Sequence, residues 1–301
     1  MRPPTSTTEV PRLDIVGSLI LASGIVLALA GSTEGPLQGW TSAGSWPFWA
    51  SGGILLALYG VWALRRPHPA VNLALLKNGQ AALALGISNI ANVVLFAILV
   101  LIPVFTETVL GVSTFVTGLT LLPQGVITGV GILVGNWMYG KTNVRSVTLT
   151  GFAILTATTA MLLFVGLGTP LWAIAAILSG RGLALGLTIQ PLLLATIGEL
   201  SGADVPDGNT LFNVMERVFS SVGISLLSTY FQVSEENYTV LLPRVTDAAS
   251  SAFHDTILIL TVASLVGFGL GFLLKPRSPT ATMFSGRRAE HDDGNIPVEQ
   301  T

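Results

Sequence analysis

Apolar residues in this chain come in long blocks separated by short polar stretches, and the block Phe115–Val134 contains no charged residue. A helix of that length, at 1.5 Å per residue, is about 30 Å long, the thickness of a bilayer's hydrocarbon core. The block lies within Gly111–Arg145 and ends at a short loop holding Lys141 and Arg145, and the next apolar block, Val147–Leu167, follows at once. Two spans joined by a tight basic turn form a transmembrane hairpin whose turn faces the cytoplasm. Pro123 and six glycines (Gly118, Gly125, Gly129, Gly131, Gly135 and Gly140) would damage a soluble helix. In lipid they are tolerated and allow helices to approach closely.

Extended to the whole chain, this pattern predicts an all-α integral membrane protein of eight transmembrane helices. The spans fall at about Leu13–Gly31, Trp46–Leu64, Gln80–Phe105, Phe115–Val134, Val147–Leu167, Leu171–Ile197, Asn209–Phe231 and Phe253–Leu274. Asp14 suits a helix N-terminus, and Trp46 and Trp49 suit an interfacial belt. A glycine-bearing turn is expected over Ser32–Ser45, a basic connector over Arg65–Gly79, and the longest loop over Gln232–Ala252. Residues 1–12 have no apolar run of the signal-peptide kind, and the charged, Pro/Gly-bearing tail 275–301 reads as disordered.

The basic residues sort by side. Eight spans put both termini together, with Arg2, Arg12, Arg65, Arg66, Lys77, Lys141, Arg145, Lys275, Arg277, Arg287 and Arg288 beside them. Arg244 alone falls on the other side, and Arg181 and Arg217 fall inside spans. By the positive-inside rule both termini of this multi-pass chain are cytoplasmic.

Composition agrees with the pattern. Of 301 residues half are hydrophobic and 10% charged, with mean hydropathy +0.71, whereas a soluble protein has about a quarter of its residues charged. There is no cysteine, which excludes disulfides, thiolate nucleophiles and sulfur-ligated metals. His68, His254 and His291 are far apart, and neither zinc-ligand spacing nor a nucleophile elbow nor a phosphate-binding loop is present. No polar cluster near an interface points to an enzyme, and no cofactor is expected. A net charge of −2 with no basic, aromatic-interleaved patch leaves nucleic acid out as a partner.

Four stretches then carry a resemblance. VPRLDIVGSLILASGIVLAL holds an Asp-x-x-Gly at a span start, and GVSTFVTGLTLLP holds Gly-x-Ser followed by Gly-x-x-x-Leu-Pro. RGLALGLTIQP is similar to an Arg-Gly-x-Gly-x-Gly run with Ala184 replacing one glycine, and DGNTLFNVMERVFSSVGISL is similar to Asn-x-x-x-Gln-Arg with Glu216 at the Gln position. In that order they resemble the major facilitator superfamily, in its branch of fourteen-span drug:proton antiporters. The resemblance covers about Pro11–Leu274 and matches the C-terminal part only, two linker spans plus the C-terminal six-helix lobe. Gly135–Arg145 is a degenerate echo of the family's loop signature, with Tyr139 where an Asp is expected.

The resemblance implies a division into a cytoplasmic segment 1–12, two linker spans with their basic connector at 13–79, a six-helix lobe at 80–274 and a tail at 275–301. The lobe would consist of two inverted three-helix repeats, about Gln80–Leu167 and Leu171–Leu274. It implies a multidrug efflux transporter in the lipid bilayer of the plasma membrane that exchanges small amphipathic drug-like molecules for protons and is driven by the proton gradient. The alternative is a truncated or half-transporter that does not transport without a separate N-terminal six-span lobe.

Several residues are candidates for substrate or coupling contact. Arg181 lies about 15 Å into its span, where a charge is costly and must face the bundle interior. It either contacts substrate or a coupling carboxylate, or ties down carbonyls freed by Gly180 and Gly182. Glu216 and Arg217 lie about two turns into the seventh span, with Asn213 able to neighbour both. Glu216, partly withdrawn from water, is a candidate for proton exchange; the alternative has it reach the interface and pair with a cytoplasmic base. Asn89 and Asn92 share a face with Phe96 one turn on, and Gln124 and Gln190 each adjoin a proline. Such amides suit a drug cavity or, equally, hydrogen bonds between helices. His254–Asp255 suggests a proton site, or a helix start capped by Ser250 or Ser251 with Asp255 in the first turn.

Overall fold

The computed structural model describes residues 14–39, 41–66, 69–198, 205–242 and 244–276. The segment 1–12, the tail beyond Pro276, and with them Arg2, Arg12, Arg277, Arg287, Arg288, His68 and His291 lie outside these residues. Among the described residues the chain forms eight α-helices and no strand: α1 Ile15–Gln38, α2 Trp46–Arg65, α3 Gly79–Thr108, α4 Thr114–Lys141, α5 Val144–Met161, α6 Leu171–Ile197, α7 Val205–Leu241 and α8 Val245–Gly271. Short 3-10 helices at Leu73–Lys77 and Leu162–Phe164 precede α3 and extend α5. Seven of the helices are long and apolar enough to cross a membrane, α7 being the exception. It has the length to cross, but it carries Asp207, Glu216, Arg217, Glu235 and Glu236.

Helix ends depart from the hydropathy pattern in a consistent direction. α1 runs on through Thr33 and Gln38, whose side chains bond back to Leu29 O and Glu34, and stops at Gly39, where φ is 87°. The expected turn over Ser32–Ser45 is therefore shorter. The expected loop over Gln232–Ala252 is mostly helix, because α7 continues to Leu241 and α8 starts at Val245. Arg244 holds the N-cap position of α8 and Asp247 its first turn, so neither Ser250 nor Ser251 caps it. Asp255 instead accepts a 2.8 Å hydrogen bond from the Tyr238 hydroxyl on α7. Polar residues mark where an apolar span ends, but Gln and Glu are good helix formers and do not end the helix.

The main core joins α3, α5, α6 and α8, with Ile87, Ile98, Phe105, Phe152, Leu178 and Phe253 among its fully buried members. α3 is the most buried of the apolar helices. α4 packs chiefly on α6, at Gly131 and Gly186, where a Cβ added to Gly186 would lie 2.4 Å from the Gly131 carbonyl carbon. Only Gly131 and Gly135 of the six glycines expected to bring helices together do so. A Cβ at Gly118, Gly125, Gly129 or Gly140 meets nothing within 4 Å, because these glycines lie off the helix face that Gln124, Thr128, Gly131 and Gly135 present to α6.

α1 and α2 pack on each other, and α1 also touches α7. Asp14 caps α1 by accepting the Gly17 N–H at 2.9 Å, and it also accepts the Trp62 indole N–H at 3.1 Å and the Ala70 N–H at 3.4 Å. Burial alone would raise the Asp14 pKa, but these donors and the nearby Arg66 charge outweigh it and hold the carboxyl below its ordinary value. Tyr59 ties α2 to the connector, donating to Val71 O at 2.9 Å and accepting the Val71 N–H at 2.6 Å. Outward-facing Leu19, Ile54, Leu133 and Leu265 leave a broad apolar surface, as expected of a chain whose solvent is lipid.

Candidate functional site

Polar side chains converge where α3 crosses α7. The helices pack tightly at Val93 and Gly223, where a Cβ on the glycine would sit 2.7 Å from Val93 Cγ1. One residue earlier on α3, the buried Asn92 donates its side-chain amide to Ser88 O at 3.0 Å and to the Glu216 carboxylate on α7. Glu216 therefore points into the helix contact and does not pair with a cytoplasmic base, as one reading of the sequence had it. Asn89, one turn back, is 6% exposed and donates to Leu85 O at 3.0 Å, while its Oδ1 has no partner.

A cavity lies on each side of this crossing. The first, of about 480 Å³, is bounded by Ser32 and Thr33 of α1, Phe96 of α3, and Arg217, Ser220, Ser221, Ile224, Ser225 and Ser228 of α7. The second, of about 310 Å³, lies among the connector's 3-10 helix, α3, α7 and α8, with Leu85, Asn89, Val93, Met215 and Phe219 in its wall. Residues 217, 220/221, 224/225 and 228 recur at helical spacing and so share one face of α7. This hydroxyl row escaped the sequence reading, although its period was visible there as a polar stripe in an otherwise apolar helix. Ser220 is buried with its Oγ unpartnered, and Ser225 donates to Ser221 O at 3.0 Å.

Other candidates lie apart from this crossing. Arg181 on α6 is fully buried and is the largest such side chain in the core. It donates to Thr159 Oγ1 on α5 and, at 3.1 Å, to Val94 O on α3. Its partners are therefore a hydroxyl and a carbonyl of neighbouring helices, and it borders neither cavity. Asn213 is exposed and donates to Asn209 O at 2.8 Å, with no bond to Glu216 or Arg217. Gln124 is buried on α4 with its Oε1 unpartnered, and its own carbonyl packs against Gly182 of α6. Gln190 is half-buried on α6 and borders neither cavity. His254 Nε2 lies 2.8 Å from Val165 O, which needs the nitrogen as donor and locks the ring to the loop after α5. Among the described residues no group of His, Asp and Glu could hold a metal ion.

The crossing thus offers one guanidinium, one carboxyl and a row of hydroxyls beside Phe96 and Ile224. Such a mixture can hold an amphipathic molecule: the hydroxyls and charges orient its polar end, and the ring and alkyl groups cover the rest.

No protein-family model matches the chain. Its relatives are transporters of the major facilitator type. It is 23% identical over 244 residues to the MFS-type transporter YhcA of Bacillus subtilis, covering 81% of this chain and 46% of that protein. It is 25% identical over 238 residues to the lincomycin resistance protein LmrB of Listeria monocytogenes, covering 77% and 50%. It is 25% identical over 228 residues to a multidrug resistance protein B homolog of Mycobacterium tuberculosis, covering 71% and 41%. The chain spans about half the length of these relatives. Among solved structures it superposes with TM-score 0.56 and 12% identity on a bacterial homolog of the human lysosomal transporter Spinster in an inward-facing, occupied conformation, covering 86% of this chain and 68% of that one. The chain therefore shares the fold of that transporter.

Proposed function

Because its relatives are major facilitator transporters and its fold is theirs, we propose that this chain is the C-terminal portion of a multidrug efflux transporter that exchanges drug for protons across the cell membrane. The observation that carries the proposal is the cavity at the α3–α7 crossing. It combines Arg217, a serine row and Phe96, and it lies next to a carboxyl held inside the helix contact by Asn92. Drug would occupy the cavity and Glu216 would take up and release the coupled proton.

In this reading α7 crosses the membrane as well, as the seventh of eight spans, and the cavity is what makes it amphipathic. α1 and α2 are linker spans and α3–α8 form two inverted three-helix repeats. Three cations support a cytoplasmic face at one end of the bundle. Arg66 lies over Trp62 at 4.5 Å, Lys141 over Trp137 at 4.2 Å and Arg145 over Phe272 at 5.6 Å. Cation and ring pairs of this kind anchor helix ends at a membrane interface. Both termini then face the cytoplasm.

Alternating access requires two lobes rocking about a shared site, and the chain spans about half of its relatives. The lobe therefore works against a second, six-span lobe. The test is ethidium efflux from pump-deficient bacteria expressing the chain alone or together with the N-terminal lobe of a homologous exporter. Efflux that appears only with both lobes and stops when a protonophore is added is the expected result. Efflux by the chain alone would remove the second lobe from the account, and no efflux with both lobes folded in the membrane would remove the transport function.

A further inference from the structure

The larger cavity contains a charge that pairs with no described residue. Arg217 is exposed on α7 and, among the described residues, is the only charged one in the cavity wall. The two carboxylates nearest to that wall in sequence are already engaged. Glu34 follows Thr33 on α1 and accepts the side-chain amide of Gln38, and Glu216 accepts that of Asn92. The Arg217 charge acts on Glu216 through space, but the two make no ion pair. Adjacent residues of a helix point about 100° apart, so Glu216 turns into the α3 contact while Arg217 turns to the cavity.

An arginine inside a membrane-crossing helix is costly unless it faces a cavity and meets a counter-charge. Along α7 its neighbours within one turn include Val214, Val218 and Phe219, which offer it none. The cavity is where a counter-charge can be supplied. A guanidinium presents its N–H donors in a flat fork that matches a carboxylate or phosphate, and such charge-assisted bonds are about twice as strong as neutral ones. Phe96 and Ile224 stand in the same wall and cover an apolar body. The cavity's volume of about 480 Å³ falls within the range for drug-sized ligands, about 300–1,000 Å³.

We propose that Arg217 is the anion subsite of this cavity, so that the site favours drug-like amphiphiles bearing a carboxylate, sulfonate or phosphate over the same molecules without one. The proposal rests on the reading of the cavity as the drug site and names the substrate class within it.

The test uses the full chain in phosphatidylcholine nanodiscs and a matched pair of dyes, rhodamine B and its ethyl ester. Both carry the same cationic ring system, and only the first has a free carboxylate. Ser221 lies one turn beyond Arg217 in the same wall, and the readout is the dye concentration that halves alkylation of Ser221→Cys by N-ethylmaleimide. Rhodamine B is expected to protect at a concentration about tenfold or more below that of the ester, the effect of one hydrogen bond between charged groups. With Arg217→Gln added, the two dyes are expected to protect equally, the loss falling on rhodamine B, and protection by the ester shows that the cavity is intact. Arg217→Met has the same expected outcome and serves if the Gln variant does not fold. Equal protection by the two dyes in the parent chain, or a preference that survives the loss of Arg217, overturns the proposal and leaves the cavity as a drug site. Protection by neither dye counts against the drug site and overturns this proposal with it. An acidic lipid is the other source of such an anion. Phosphatidylglycerol in place of phosphatidylcholine, with no dye, is expected to leave alkylation unchanged; slowing that depends on Arg217 would make a lipid headgroup the occupant and overturn the assignment to drug.

Discussion

Asn92 on α3 donates its side-chain amide to the Glu216 carboxylate on α7, across 124 positions of sequence. It is the hydrogen bond that joins these two helices beside the larger cavity. Because Asn92 also bonds to Ser88 O, it is held in place by its own helix and presents a fixed donor to the carboxyl.

Glu216→Gln tests this pair. The amide oxygen of Gln can still accept from Asn92, so folded yield should stay near that of the parent chain. What is lost is the charge. Ethidium is a cation, so an ionised carboxylate should favour it: the parent should bind it more tightly with rising pH, and the Gln variant should bind it with a flat profile. The same pH profile in both chains would take the proton away from Glu216.

Gly186 and Gly129 form a matched pair for the fold. A Cβ at Gly186 would lie 2.4 Å from backbone atoms of Gly131 and Ile132, whereas at Gly129 it meets nothing. Backbone atoms cannot yield as a side-chain tip can, so Gly186→Ala must push α4 away from α6. Monodisperse yield in detergent should collapse for Gly186→Ala. For Gly129→Ala it should hold or rise, since Ala is worth up to about 1 kcal/mol over Gly within a helix. Equal loss in both would mean that the α4–α6 contact is not where the structure puts it.

This contrast also marks what was legible in the sequence. Hydropathy located seven of the eight helices as apolar blocks of bilayer length, which have few other uses; α7 was read as a span too, although its charged residues leave it short of that apolarity. It misjudged their ends, since helix α7 continues through Glu235 and Glu236 where the apolar stretch has stopped. Six glycines on one helix looked alike, yet only Gly131 and Gly135 meet α6. Which face of a lipid-bathed helix is buried is written in neither its composition nor its hydropathy, because both faces are apolar. Glu216 and Asn92 were each visible as polar residues inside spans. Their pairing was not, because it depends on the rotation of two helices that are distant in sequence.

Arg181 is better placed to hold helices together than to touch a drug. It links α6 to Thr159 of α5 and to Val94 O of α3 from a fully buried position. Arg181→Ala removes both links and leaves a void, at a cost of about 2–5 kcal/mol for a large buried side chain. Folded protein in the membrane should fall sharply, while transport per folded molecule, measured with the partner lobe present, should stay within about twofold, which is about 0.4 kcal/mol in barrier. A normal folded level combined with abolished transport would instead place Arg181 at the substrate.

The topology follows from residues that can be labelled singly, because the chain has no cysteine. Asn143 accepts the Ser146 N–H and caps α5, so the neighbouring exposed Thr142 is the safer probe of the α4–α5 turn. On intact cells an impermeant thiol reagent should label Asn237→Cys, exposed near the far end of α7, and not Thr142→Cys. The reverse pattern would invert the protein in the membrane.

The claim that drug binds at the α3–α7 crossing is tested most directly at Ser221, which lines the larger cavity on α7. Ser221→Cys changes one atom, and Leu265→Cys on the outward face of α8, 55% exposed, serves as the control. With the chain in nanodiscs, alkylation of each thiol is timed with and without saturating ethidium. The account predicts that ethidium slows alkylation at Ser221→Cys by about tenfold or more, as expected if a bound ligand excludes the reagent from a pocket that buries most of its surface, and leaves Leu265→Cys unchanged. Equal alkylation rates at Ser221→Cys with and without the dye would contradict it.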